Sequence, residues 1–275
     1  MKLAFSCLLL ATGATLVSAD EMTDWNQIML AATITPPATP GPTSTRVTAI
    51  VQAAVFDAVN GIERRYTPIH VPPAAPHGAS KRAAAVQAAN ASLVRLYPAL
   101  MYPALTATFD QQRMLSLAAI ASGGAAEHSK AIERGVEWGQ TVADAIWAWR
   151  STDGFNTVLP PFMGGAAAGE WRPTPPGFAP GLFHQLAITA PWVIESPSQF
   201  RPSGPPALTS PQYKTDFDEV LSKGRKSSLT RTADETTFSF FWASTIQPVT
   251  GIRLRSHWRL NGTSRCLGPA ESWLT

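Results

Sequence analysis

Between Asp153 and Leu208 the chain carries eleven of its 24 prolines and only five charged residues. Such a stretch cannot continue a helix, because each proline removes a backbone donor and clashes with the preceding turn. It is also too apolar for a solvated linker, with Trp171, Phe178, Phe183, Trp192 and Phe200 spread along it. It reads as an extended strap packed across other elements, irregular over 154–208, with Trp171 and Trp192 shielded from solvent. Regular structure must lie on either side of it.

On the N-terminal side the spacing is helical. A short apolar helix follows Asp24-Trp25-Asn26, before Pro36, Pro37, Pro40 and Pro42. From 46 to 65, Val47, Ile50, Val51, Ala54, Val55, Ala58 and Ile62 fall on one 3.6-residue face. Thr43, Ser44 and Thr45 stand where they can cap that helix. An alanine-rich helix over 80–96 ends at Tyr97-Pro98, a third covers 105–121, and a fourth covers 127–150. In the fourth, Ile132, Val136, Trp138, Val142, Ile146, Trp147 and Trp149 wrap more than one face. That pattern places it centrally, with its tryptophans in the core. Beyond the strap, Ser210-Pro211 opens a helix over 211–223. Thr232-Ala233-Asp234-Glu235 forms a capping box ahead of a last helix over 232–243. No segment alternates with period two, so the fold class is all-α, a helical bundle with a long proline-rich strap.

Composition excludes several functions. A formal charge of +3 with no basic cluster argues against nucleic-acid binding. No run reaches the roughly 18 apolar residues of a membrane span. Lys2 followed by the apolar stretch Leu3–Val17, with small residues at Val17-Ser18-Ala19, has the form of a signal peptide over 1–19. The expected location is therefore secreted or periplasmic. Cys7 would leave with that peptide. Cys266 would then be a lone thiol, with neither an internal disulfide nor a cysteine metal site open to it.

Five strings occur in order: Thr23-Asp24-Trp25-Asn26, Ala53-Ala54-Val55-Phe56-Asp57-Ala58-Val59-Asn60, Gly169-Glu170-Trp171-Arg172-Pro173-Thr174-Pro175-Pro176, Ser196-Pro197-Ser198-Gln199-Phe200-Arg201-Pro202 and Arg231-Thr232-Ala233-Asp234-Glu235-Thr236. Together they resemble the N-terminal part of secreted bacterial vanadium-dependent haloperoxidases, relatives of the type 2 phosphatidic acid phosphatases. The resemblance runs from about Thr23 to Trp258. It implies a helical-bundle fold, a vanadate cofactor, and peroxide and halide as substrates. It also implies a pocket in which a histidine bonds to vanadium while lysine, arginines, serine and a glycine amide hold its oxygens.

That pocket has a signature: a lysine seven residues before Arg-Pro, then Pro-Ser-Gly-His, then an arginine and a later histidine. Arg201-Pro202 is present, but Ile194 stands seven residues earlier, and Pro205 follows Pro202-Ser203-Gly204 where histidine is required. Proline offers no ligand atom. Gln247-Pro248 through Arg253 repeats the pattern with Gln247 for its arginine and Phe240 for its lysine. No catalytic, cofactor-binding or metal residue is therefore assigned, and no cofactor is expected in this chain. Asp57, with Asn60 and Arg64 one and two turns on, reads as a buried hydrogen-bonding hub. His70, His77, His128 and His184 read as structural or solvated, and His257 has no nucleophile motif around it. The chain thus divides into a signal peptide (1–19), a haloperoxidase-like helical part (20–258) and an aberrant tail (259–275). The tail mixes Gly, Ser, Cys, Pro and Trp without period, as a shifted frame or truncated gene would. Downstream DNA would then encode the lysine, Arg-Pro and Pro-Ser-Gly-His elements. Three functions remain open: a haloperoxidase-family protein inactive as it stands, a phosphatase of the same superfamily, and a non-catalytic exported helical binding protein. The residues leave its oligomeric state undetermined.

Overall fold

A computed structural model describes residues 21–35, 39, 41–122 and 125–243. It contains α1 (Glu21–Ile34), α2 (Gly41–Glu63), α3 (Lys81–Leu96), α4 (Pro103–Ser122), α5 (Ser129–Ser151), α6 (Pro211–Lys223) and α7 (Ala233–Ala243), with a short 3₁₀ turn at His184–Ala187. There is no strand among the described residues; Phe162 and Gly181 form an isolated bridge. The fold is all-α. The signal-peptide region, Cys7, Gln247–Arg253, His257, Cys266 and the tail lie outside the described residues.

The centre is α3, not α5. α3 packs against α1, α2, α4 and α5, and every residue from Ala83 to Leu93 is buried. Ser80 caps it, accepting from the Ala83 N–H at 3.0 Å. Its alanines let other helices come close, and α5 answers with glycines. A Cβ built on Gly139 would lie 2.4 Å from the Ala84 carbonyl oxygen, and one on Gly135 would lie 2.4 Å from that of Ser80. α5 buries one face, comprising Gly135, Trp138, Gly139, Val142, Ala143, Ile146 and Arg150. Of its tryptophans only Trp138 belongs to the core, whereas Trp147 and Trp149 are half-buried. Period alone could not separate a helix whose apolar side chains fill a core from one whose small residues are surrounded.

α2 begins five residues earlier than its apolar face predicts. Thr43–Thr45 therefore sit inside the first turns, where Ser44 and Thr45 donate back to the Gly41 carbonyl at 2.8 and 3.1 Å. At its other end Asn60 accepts from the Arg65 and Tyr66 N–H groups at 3.1 and 2.9 Å and donates to the Tyr66 carbonyl at 2.8 Å. Arg64 turns into left-handed φ (55°) to allow this exit. Asp57 then holds the returning loop, its carboxylate accepting from Ile69, His70 and Val71 N–H, all at 2.8 Å. The hub read from the sequence is real. Gly61 leaves room for the Trp138 indole, a Cβ there lying 2.4 Å from the ring. The indole N–H in turn reaches the Ala58 carbonyl at 2.9 Å.

The strap is irregular, as expected, but it is not packed. Trp171 is 46% exposed, and Val158, Phe178, Leu182, Val193 and Phe200 are more exposed still. Only Phe155, at its very start, and Trp192 are packed inward. Its turns are closed locally: Glu170 accepts from the Ala167 N–H at 2.7 Å, and Arg172 donates to the Ala166 carbonyl at 2.8 Å. Beyond it, α6 and α7 bury no residue. They are joined by Lys223–Glu235 at 2.5 Å and by Arg231 donating to the Lys223 carbonyl at 2.7 Å. Ser210 and the Thr232/Glu235 capping box are formed as read, with the Thr232 N–H to the Glu235 carboxylate at 2.9 Å and the Glu235 N–H to the Thr232 hydroxyl at 3.1 Å.

Gly139→Ala should destabilise the bundle by about 2–3 kcal/mol in urea unfolding, although alanine is the better helix former. Gly41→Ala, where a Cβ meets nothing within 4 Å, should change stability by no more than about 1 kcal/mol. Asp57→Ala should cost roughly 3 kcal/mol, since it leaves three loop N–H groups without their acceptor. Hydrogen exchange at Ile69, His70 and Val71 should accelerate with it.

Candidate functional site

Two buried charges of opposite sign meet where α5 ends and the strap begins. Arg150 is 1% exposed and Asp153 7%. Arg150 pairs with Asp153 at 2.5 Å, and Arg46, from the second turn of α2, pairs with the same carboxylate oxygen. Arg46 also donates to the Arg150 carbonyl at 2.6 Å. Arg150 reaches on into the strap, donating to the Ala190 carbonyl at 2.8 Å and the Pro191 carbonyl at 3.2 Å. The Ala190 N–H returns to the Asp153 carbonyl at 2.8 Å.

Aromatic faces enclose both cations. The Arg150 guanidinium carbon lies 4.8 Å from the Trp149 ring centre and 4.3 Å from that of Trp192, and Arg46 lies 4.6 Å from Phe155. His70 stacks on Trp149 with centroids 4.3 Å apart, so the loop held by Asp57 ends on this cluster. Burial pulls the Arg150 guanidinium below its usual basicity. Asp153 opposes that shift, and Arg46 adds to it. Two guanidiniums share one carboxylate, which leaves one positive charge over.

Beside Arg46 opens a cleft lined by Thr39, Thr43, Val47, Leu96, Tyr97, Tyr102, Trp147, Phe155 and Asn156. The Tyr97 hydroxyl meets that of Thr39 at 3.1 Å. Burial pushes the Tyr97 phenol above its ordinary value of 10.0, with the Thr39 bond acting the other way. It therefore stays a protonated hydroxyl at neutral pH.

The strings that echo an oxyanion pocket lie elsewhere. Arg201, Ser203, Gly204 and Pro205 are exposed in the strap, and the Arg201 N–H closes a turn onto the Ser198 carbonyl at 3.1 Å. Ile194, at the lysine position, is 41% exposed. These residues do not fit vanadate, since one surface arginine and a serine cannot surround a multiply charged oxyanion. His128 stands at the start of α5 without a side-chain cap bond, and His184 stacks on Phe162 at 6.0 Å. Among the described residues no three His, Cys, Asp or Glu side chains come together as a metal site, and no helix is long and apolar enough to cross a membrane.

Sequence reading missed the Arg46–Arg150–Asp153 cluster. A trace of it was present: Arg150 and Asp153 stand three apart at a helix end, just where a charge-poor segment starts. The partner 104 positions away could not be read.

Arg150→Met should destabilise the bundle by about 3–5 kcal/mol in urea unfolding, because Asp153 and the carbonyls of Ala190 and Pro191 lose their shared donor. Limited proteolysis should then cut the strap near 188–194 faster than in the parent. Comparison with protein-family models, curated protein sequences and solved structures finds no match to this chain.

Proposed function

We propose that the chain is the helical scaffold of a vanadium-haloperoxidase-like protein, exported from the cell, and that residues 20–258 hold no vanadate pocket of their own. The reading of the family rests on the five ordered strings. Within the fold the Ala53–Asn60 string builds the Asp57 and Asn60 clamps and the Arg231–Thr236 string caps α7. Export rests on Lys2 and the apolar stretch Leu3–Val17.

The observation that carries the inactivity is the substitution of Pro205 and Ile194 at the histidine and lysine positions, in a strap whose one arginine near them is exposed. The buried cations are engaged otherwise. Arg150 is spent on Asp153, two carbonyls and two indole faces, so among the described residues no cluster of several cations converges on a position for a multiply charged oxyanion. A phosphatase of the same superfamily needs the same pocket and meets the same objection. A second reading, a helical protein that binds a partner, is favoured by the exposed Phe217, Val220, Phe238, Phe240 and Trp242 on α6 and α7.

The purified chain, incubated with orthovanadate, peroxide and bromide, should brominate a phenol-red indicator no faster than a no-protein control. It should also leave p-nitrophenyl phosphate unhydrolysed. Bromination that rises with added orthovanadate would overturn the reading.

A further inference from the structure

The cleft beside Arg46 is walled by the first turns of α2, the end of α3, the start of α4 and the residues that leave α5. Its polar groups are almost all donors or hydroxyls: Arg46, Thr43, Tyr102, Asn156 and the Trp147 indole. No carboxylate and no lysine is among its described lining residues. Arg46 uses one guanidinium nitrogen on Asp153 and another on the Arg150 carbonyl. The side-chain groups of Thr43, Tyr102 and Asn156 have no hydrogen-bond partner among the described residues. Val47, Leu96 and Phe155 supply apolar wall.

Two facts then coincide. The neighbouring ion cluster has two cations to one anion, and one of those cations, Arg46, lines a cleft whose Thr43, Tyr102 and Asn156 side chains bond no described protein group. A buried group of like charges is stabilised by a counter-anion brought into hydrogen-bond reach. One surplus charge matches one carboxylate. A multiply charged oxyanion would want several more cations than the single arginine here. The mixed wall of aromatic, aliphatic and hydroxyl groups suits a ligand with an apolar body and one polar end.

We propose that this cleft binds a small organic monocarboxylate, its carboxylate meeting Arg46 and the hydroxyls of Thr43 and Tyr102, and its apolar body lying against Val47, Leu96 and Phe155. The site does not depend on the haloperoxidase reading and holds whether or not any peroxidase chemistry is present.

The test is a titration of the isotope-labelled full chain with benzoate, followed by calorimetry and by amide shifts. Benzoate should bind with a dissociation constant of about 1 mM or tighter, with shifts gathered at Thr43, Arg46, Tyr102 and Asn156. Benzamide, the same shape without the charge, should bind at least about tenfold more weakly, and inorganic phosphate should not displace benzoate. Arg46→Gln should abolish binding while circular dichroism confirms that the helices persist. If that variant unfolds, Thr43→Val combined with Asn156→Ala, which leaves the ion cluster intact, should weaken benzoate at least about threefold. Equal binding of benzoate and benzamide overturns the proposal, as does an absence of benzoate binding or shifts confined to the strap. Displacement by phosphate would show an inorganic anion site instead and would equally sink it.

Discussion

Everything in the bundle depends on how closely α5 can lie against α3. Along the contact, Gly135 and Gly139 face the carbonyls of Ser80 and Ala84 with no space for a methyl group, and the α3 side is Ala83, Ala84 and Gln87. A small-residue seam of this kind gains dispersion contact along the whole helix length, but only while every position stays small. It also fixes the rotation of α5. With the glycines turned inward, Trp138 must enter the space above Gly61 and bond the Ala58 carbonyl, which locks α2 to both helices. The same rotation puts Arg150, eleven residues beyond Gly139 and therefore about three turns on, on the inner face. The ion cluster is thus a consequence of the seam.

The helices were legible because their signals are local. Caps at Ser210 and Thr232 and the apolar spacing after Arg46 each act within one or two turns. Where the reading failed, the cause was not local. The first turns of α2 carry Thr43, Ser44 and Thr45, read as caps, whereas in the fold Ser44 and Thr45 bond back to the Gly41 carbonyl, a choice that only the surrounding chain decides. The centrality of α3 was hidden because alanine marks a surrounded helix more weakly than tryptophan does. Asp57 could be read as a hub from its place on an apolar face. Its three partners at Ile69, His70 and Val71 depend on a loop path that no period encodes.

The strap shows how composition misleads. A segment with few charges and several large aromatics looks as though burial must stabilise it, yet most of its side chains face solvent. Prolines explain the tolerance. Each one removes a backbone donor that would otherwise need a partner and lowers the conformational entropy of the unfolded chain. Short self-closing turns, such as those at Ala167–Glu170 and Ser196–Gln199, satisfy much of the remainder. A chain of this kind can hold its path without a core beneath it, and the apolar side chains it displays are then free to meet something else.

The border between the packed bundle and this strap is sharp, and it falls at Arg150. On its inner side lie Val142, Ile146 and Trp138; on its outer side only Phe155 and Trp192 are still packed inward. A hydrophobic contact alone would fade gradually along a proline-rich segment, because no one residue determines where it ends. A buried guanidinium behaves differently. Its donors demand acceptors in fixed directions, and here the acceptors are Asp153 and the carbonyls of Ala190 and Pro191. The strap is therefore fastened at a point rather than laid along a face. Trp149 and Trp192 cover that point, and His70 brings the Asp57 loop to the same place. The arrangement needs two cations because Arg46 must hold Asp153 from α2 while Arg150 holds it from α5. That demand for two anchors on one carboxylate creates the excess positive charge beside the cleft, so the feature that fastens the strap also determines which ligands the cleft can accept.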